Sequence, residues 1–165
     1  MGTARRHDSL IPLSREHHYG LVVCLHIQQA IGREPTDIPS LRTRAESTVR
    51  FFQGDLAVHF ETEETVLFPA MQGMPGAGSL ILELAEEHRE MECLIRKLRE
   101  TDNGHLTATL AQFANLLELH IRKEERSLFP IYEQYITQKV SEQVAWEIEA
   151  RIGLALQPRH PELLK

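Results

Sequence analysis

HFETEETVLFP (residues 59–69) and HIRKEERSLFP (residues 120–130) repeat one pattern at an offset of 61 residues. The register extends upstream, setting Thr48 on Thr109, Phe52 on Phe113 and Leu56 on Leu117. A second alignment, at an offset of 71, sets Leu13 on Leu84, Glu16 on Glu87 and His17 on His88. Apolar residues recur at steps of three and four through all these stretches, and no alternating strand pattern interrupts them, so the chain reads as all-α. Two similar helix pairs with short connections imply an up-down-up-down four-helix bundle with an internal two-helix repeat.

Pro and Gly punctuate the chain. The first helix is expected from Ser14, an N-cap candidate, to Gly32, with Glu34 to Pro39 as the connection. The second is expected from Ser40 to Phe68, stopping before Pro69 because proline disfavours helical geometry in the residue ahead of it. The third follows from Ser79 to Glu100, and the fourth ends before Pro130. A C-terminal fifth helix carries Val140, Val144, Ile148 and Ile152 on one stripe and is expected to pack across the bundle. Residues 1–157 are thus expected to form one domain and residues 158–165 a flexible tail.

The chain carries 18 Lys plus Arg against 24 Asp plus Glu, for a net charge of −6, and no basic run marks a nucleic-acid or anionic-membrane footprint. The N-terminus lacks an apolar signal stretch and no run is long enough to span a bilayer, which implies a cytoplasmic, soluble protein. Cys24 and Cys93 lie among apolar neighbours without metal or redox spacing and are expected to be buried free thiols.

Residues four apart share a helix face, so His59 with Glu63 and His120 with Glu124 can each aim two ligands at one point. One such pair among nine histidines proves little. Here, however, His59 continues the stripe Phe52, Leu56, and His120 continues Phe113, Leu117; His17 and His88 lie on the apolar stripes of their own helices. Any one of these, taken alone, reads equally as an ordinary core histidine with a hydrogen-bonding neighbour. Four imidazoles and two carboxylates buried together carry a desolvation cost that cations offset and hydrogen bonds alone do not. Imidazole with shared carboxylate suits iron or manganese better than a closed structural zinc site. His18 is the fallback first-helix ligand. His7, His26, His105 and His160 are read as solvated or capping groups, and Glu64 and Glu125 as surface carboxylates or partners of the ligands.

These runs, together with LSREHH (13–18) and EEH (86–88), resemble the paired His-His-Glu pattern of hemerythrin-like domains over roughly residues 10 to 132. The resemblance implies two Fe ions with an oxo or hydroxo bridge, held by His17, His59, His88 and His120 as terminal ligands and by Glu63 and Glu124 as bridges. Zn, Mn or Ni can substitute in isolated protein. It also implies O2, NO or peroxide as the small ligand. The chain departs from the oxygen carriers of that family, which carry a second histidine where Glu92 stands here. Glu92 is either a further ligand or a solvated glutamate at the bundle's edge. The departure argues against reversible oxygen carriage and toward sensing of redox or iron state. The alternative is a diiron enzyme, or an iron-donating factor in repair of iron centres after oxidative or nitrosative stress.

Overall fold

A computed structural model describes residues 6–33 and 36–153; the expected tail, His160 and part of the first connection lie outside them. Every regular element among the described residues is helical. We label them α1 (Ile11–Arg33), α2 (residues 38–70), α3 (Ala77–Glu100), α4 (residues 106–135) and α5 (Gln138–Ile152). α1 begins earlier than the N-cap reading of Ser14 implied, behind a 3-10 turn, Asp8–Leu10, whose cap is the His7 side chain accepting from the Ser9 N–H. Ser14 lies inside the helix and donates its hydroxyl to Glu125.

Both proline stops are overturned. α2 continues through Pro69 to Ala70, and α4 through Pro130 to Tyr135. Each proline follows a π turn, Glu63–Leu67 or Glu124–Leu128, in which Phe68 or Phe129 donates its N–H five residues back, to the Glu63 or Glu124 carbonyl. A proline interrupts a helix by lacking an N–H and by crowding the carbonyl four residues behind. Set just after a turn of wider register, it continues the helix. α2 contains a further π turn, Phe52–Leu56, at its middle.

The core is divided in two. One apolar cluster gathers Ile27, Leu41, Phe52, Phe60, Leu94, Phe113 and Leu117, and the other Leu13, Leu67, Met71, Leu84, Phe129 and Tyr132. α1 and α3 leave the second cluster for the first, while α2 and α4 run from the first to the second. Between the clusters each helix contributes its histidine. α1 packs on α4 and α2, and α3 on α2 and α4. α5 buries Val144, Ile148 and Ile152 against the second cluster, but Val140, expected on that stripe, is 36% exposed, and Ser141 is buried beside it instead. Cys24 is buried and Cys93 only half-buried; both are free thiols. Burial pushes the Cys24 thiol up to about 12.

Candidate metal centre

His17, His59, His88 and His120 come from four different helices and are each no more than 3% exposed, and Glu63 and Glu124 are wholly buried. All four imidazoles turn Nε2 inward. His17 and His59 approach each other at 3.1 Å and His88 and His120 at 3.2 Å, Nε2 to Nε2. The glutamates lie between these pairs. Glu63 sets Oε1 3.0 Å from His59 Nε2 and Oε2 3.4 Å from His88 Nε2, while Glu124 sets Oε2 3.1 Å from His17 and 3.4 Å from His120.

Two four-residue groups result, His17-His59-Glu63-Glu124 and Glu63-His88-His120-Glu124, each with ligand atoms within 4.8 Å of one another. Both glutamates belong to both groups. None of their four carboxylate oxygens has a hydrogen-bond donor, although each is buried. Orphaned buried carboxylates are rare because their desolvation is costly. Converging imidazole nitrogens beside them form a donor set that two cations of intermediate hardness satisfy.

The outward ring nitrogens are equally ordered. His59 Nδ1 meets Glu16 at 2.9 Å, His88 Nδ1 meets Glu64 at 2.7 Å, His120 Nδ1 meets Glu87 at 2.8 Å, and His17 Nδ1 meets Glu125 at 2.7 Å. Each carboxylate neighbours a member of the centre on its own helix and reaches the histidine of the next, so the contacts close a ring through α1, α2, α3 and α4. A carboxylate on Nδ1 fixes the tautomer that leaves Nε2 free to coordinate, and raises its basicity. Two of the imidazoles are also held by stacking: Phe60 lies 3.8 Å and Phe68 5.9 Å from His88, centroid to centroid, and Phe129 lies 5.4 Å from His17.

Electrostatics follow from this crowding. Burial pushes His17 down, yet the carboxylates of Glu124, Glu125 and Glu63 outweigh it and hold the imidazole well above its ordinary range. Burial likewise opposes the charge on His59, and Glu63 with Glu16 reverses it, to about 9. Glu63 is held well below the usual carboxylate range, burial being overcome by His59, His17 and His88. Glu125 falls to about 2 against its own burial, through His17, Ser14 and Arg6.

The six residues singled out in the sequence therefore converge on one place. His18 is exposed, about 100° around α1 from the buried His17. Glu92 is exposed and outside both groups, because Met91 takes the buried position on that turn of α3. His105 is an exposed partner of Asp102. Glu16 and Glu87 were matched by the repeat but given no role; their repetition beside a buried histidine was the sign available. Glu64 and Glu125 both take the partner role, Glu125 half-buried and Glu64 from an exposed position.

The profile of the hemerythrin HHE cation-binding domain matches residues 11–132. The chain belongs to that family. The match starts at the first residue of α1 and ends near the close of α4, taking in every residue of the centre. Among curated proteins, a DNA nickase from Nostoc sp. (strain PCC 7120 / SAG 25.82 / UTEX 2576) is 31% identical over 98 residues, 58% of this chain and 28% of the nickase. The chain thus spans less than a third of that relative. No solved structure matches it.

Proposed function

We propose that this HHE-family chain is a non-haem diiron protein that binds or reacts with O2, NO or peroxide, or senses redox or iron state. His17 and His59 hold one ion, His88 and His120 the other, and Glu63 and Glu124 bridge them. The observation that carries the reading is the sharing of both glutamates by two histidine pairs, with all four oxygens buried and undonated. A single ion would leave half of that donor set unused. The layout around it is an up-down-up-down four-helix bundle with α5 as the added fifth helix, supported by the alternating direction of α1 to α4 between two core clusters.

Two iron ions there supply one-electron and two-electron chemistry toward small oxygen and nitrogen ligands. The chain's own part is to orient and exclude. Glu16, Glu64, Glu87 and Glu125 hold the four rings by Nδ1, the apolar clusters above and below keep bulk water out, and Phe60, Phe68 and Phe129 limit ring rotation. Among the described residues no helix is long and apolar enough to cross a membrane.

Anaerobic reconstitution with ferrous iron, followed by optical spectra under O2 and NO, tests this reading. A persistent spectral change with either gas supports binding or sensing; turnover of peroxide or NO, or transfer of iron to an apo iron protein, supports the enzymatic or iron-donating alternative. Iron-loaded protein that responds to none of them refutes the redox reading. Nicking of supercoiled DNA checks whether the named activity of the Nostoc relative extends to this chain. One structural feature bears on it: Arg42, Arg50 and Arg99, scattered in sequence, line one groove of about 370 Å3 between α2 and α3, together with Glu46.

A further inference from the structure

The internal repeat lets the supports of His17 and His88 be compared residue by residue, and only the first is clamped. Ahead of α1, Arg6 lies along α4 and meets three of its residues at steps of four. Nη2 donates to Glu125 Oε2 at 2.5 Å, Nη1 donates to Glu133 Oε1 at 2.8 Å, and the guanidinium carbon sits 4.8 Å from the centroid of the Phe129 ring between them. Glu125 and Phe129 are the two groups that hold His17, one on Nδ1 and the other against its ring face. Glu125 also accepts from the Ser14 hydroxyl at 2.6 Å, so three side chains fix this one carboxylate.

The other half lacks each part of this clamp. At the offsets of the repeat Ala77 stands for Arg6, Ala85 for Ser14 and Gln72 for Glu133. Glu64, the counterpart of Glu125, is 42% exposed and meets only His88 among the described residues. An imidazole withdraws Nε2 from an ion by moving within its own plane, toward the partner on Nδ1. Stacked neighbours, such as Phe60 and Phe68 on His88, leave that motion open. A carboxylate fixed by charge-assisted bonds blocks it, and a cation over the stacked ring adds to the hold at His17.

We propose that Arg6 is a positioning residue of the metal centre: by fixing Glu125 and Phe129 it holds the His17 ring, so that the ion at the His17–His59 position is retained and the ion at the His88–His120 position is the one exchanged. The proposal rests on the metal-centre reading above and adds to it an order of release. Arg6 is separable from the fold. His7 donates its N–H to Glu133 at 2.9 Å, the Ser9 hydroxyl bonds the Tyr132 hydroxyl at 2.9 Å and Leu10 is wholly buried, so the segment ahead of α1 stays docked when the guanidinium is removed. Arg6 touches a partner of the ligand and not the ligand, so its loss acts less than the roughly 10–100-fold that follows loss of such a partner.

The test uses the full chain loaded with zinc, its metal content measured separately, and follows release into an excess of chromophoric chelator, with folding checked by circular dichroism. Wild type should release its zinc in two phases, the slower by about 3–10-fold. Arg6→Ala should speed the slower phase to near the faster and leave the faster unchanged. Arg6→Lys, which keeps the charge without the two-pronged reach, should fall between. Glu64→Ala should speed only the faster phase, which assigns the two phases to the two halves. Glu133→Gln removes the carboxylate that anchors one prong and should speed the slower phase to a smaller extent, giving a second approach should Arg6→Ala fail to fold. A single phase from wild type, wild-type release from folded Arg6→Ala or Glu133→Gln, or an equal acceleration of both phases by Arg6→Ala would overturn the proposal while leaving the metal centre intact. Acceleration of the slower phase by Glu64→Ala would place the retained ion in the other half and overturn it equally. Wild-type protein that takes up no zinc, manganese or iron sinks the metal-centre reading and this proposal with it.

Discussion

Glu63→Gln replaces one carboxylate oxygen by an NH2 group of the same size, so the packing around this wholly buried side chain is kept while its chemistry becomes one-sided. In the native chain Oε1 faces His59 at 3.0 Å and Oε2 faces His88 at 3.4 Å, one oxygen for each group of ligands. A glutamine offers one neutral oxygen to one group and a donor that cannot coordinate to the other. Each group has four protein residues. If roughly 10–16 kcal/mol of zinc affinity is spread over about four ligands, each contributes about 2.5–4 kcal/mol. At about 1.4 kcal/mol per decade, the position facing the NH2 weakens on the order of 10²-fold or more. The other position, which keeps an oxygen but loses the anionic charge, weakens less. Zinc titration against a chromophoric chelator, with folding checked by circular dichroism, should therefore show two comparable sites in wild type and two widely separated sites in the variant. Two unchanged affinities in a folded Glu63→Gln protein would refute the shared-carboxylate arrangement, and an equal loss at both positions would refute the one-oxygen-per-group geometry.

Glu125→Ala removes the Nδ1 partner of His17 and should weaken zinc at that position about 10–100-fold, whereas His18→Ala, on the exposed side of α1, should leave the same titration unchanged; the reverse ranking would move the ligand to His18. Metal-free protein should lose stability as pH rises from about 6.5, the ordinary imidazole value, through about 9, where His59 titrates in the folded state. The raised folded value means the stabilising charge is fully present below that window and gone above it, so the urea midpoint in excess chelator should fall between pH 6 and pH 10; a flat or rising midpoint contradicts the pairing of His59 with Glu63 and Glu16. Phe60→Ala removes a ring that is 4% exposed and stacked on His88, and should cost about 3–5 kcal/mol by denaturant unfolding, against which a loss below about 1 kcal/mol would show that the stack is dispensable. Iron-loaded protein exposed to air should develop a near-ultraviolet absorption band, while zinc-loaded protein stays folded and silent; a silent iron form leaves only a structural metal site.

The helical class, the pairing of helices and the six inward-facing residues were legible along the chain because both kinds of information are periodic. A 3.6-residue repeat marks the buried face of each helix, and an offset repeat of 61 or 71 residues marks which faces are equivalent. His17 could be ranked above His18 on that ground alone. Where the chain relies on local departures from periodicity, the sequence was silent or misleading. Pro69 and Pro130 read as helix ends because a π turn has no composition of its own; only the shifted hydrogen bonds from Phe68 and Phe129 show why the helix survives them. Glu92 occupied a plausible ligand spacing, yet the rotation of α3 buries Met91 and leaves Glu92 in solvent. The ring of Glu16, Glu64, Glu87 and Glu125 was legible only in part: the repeat marks all four, and Glu64 and Glu125 could be read as partners of the ligands, but which histidine each one serves was not. Each of these carboxylates serves a histidine on another helix, from 24 to 108 residues away, and side-chain direction across a helix interface is fixed by packing, not by spacing along the chain.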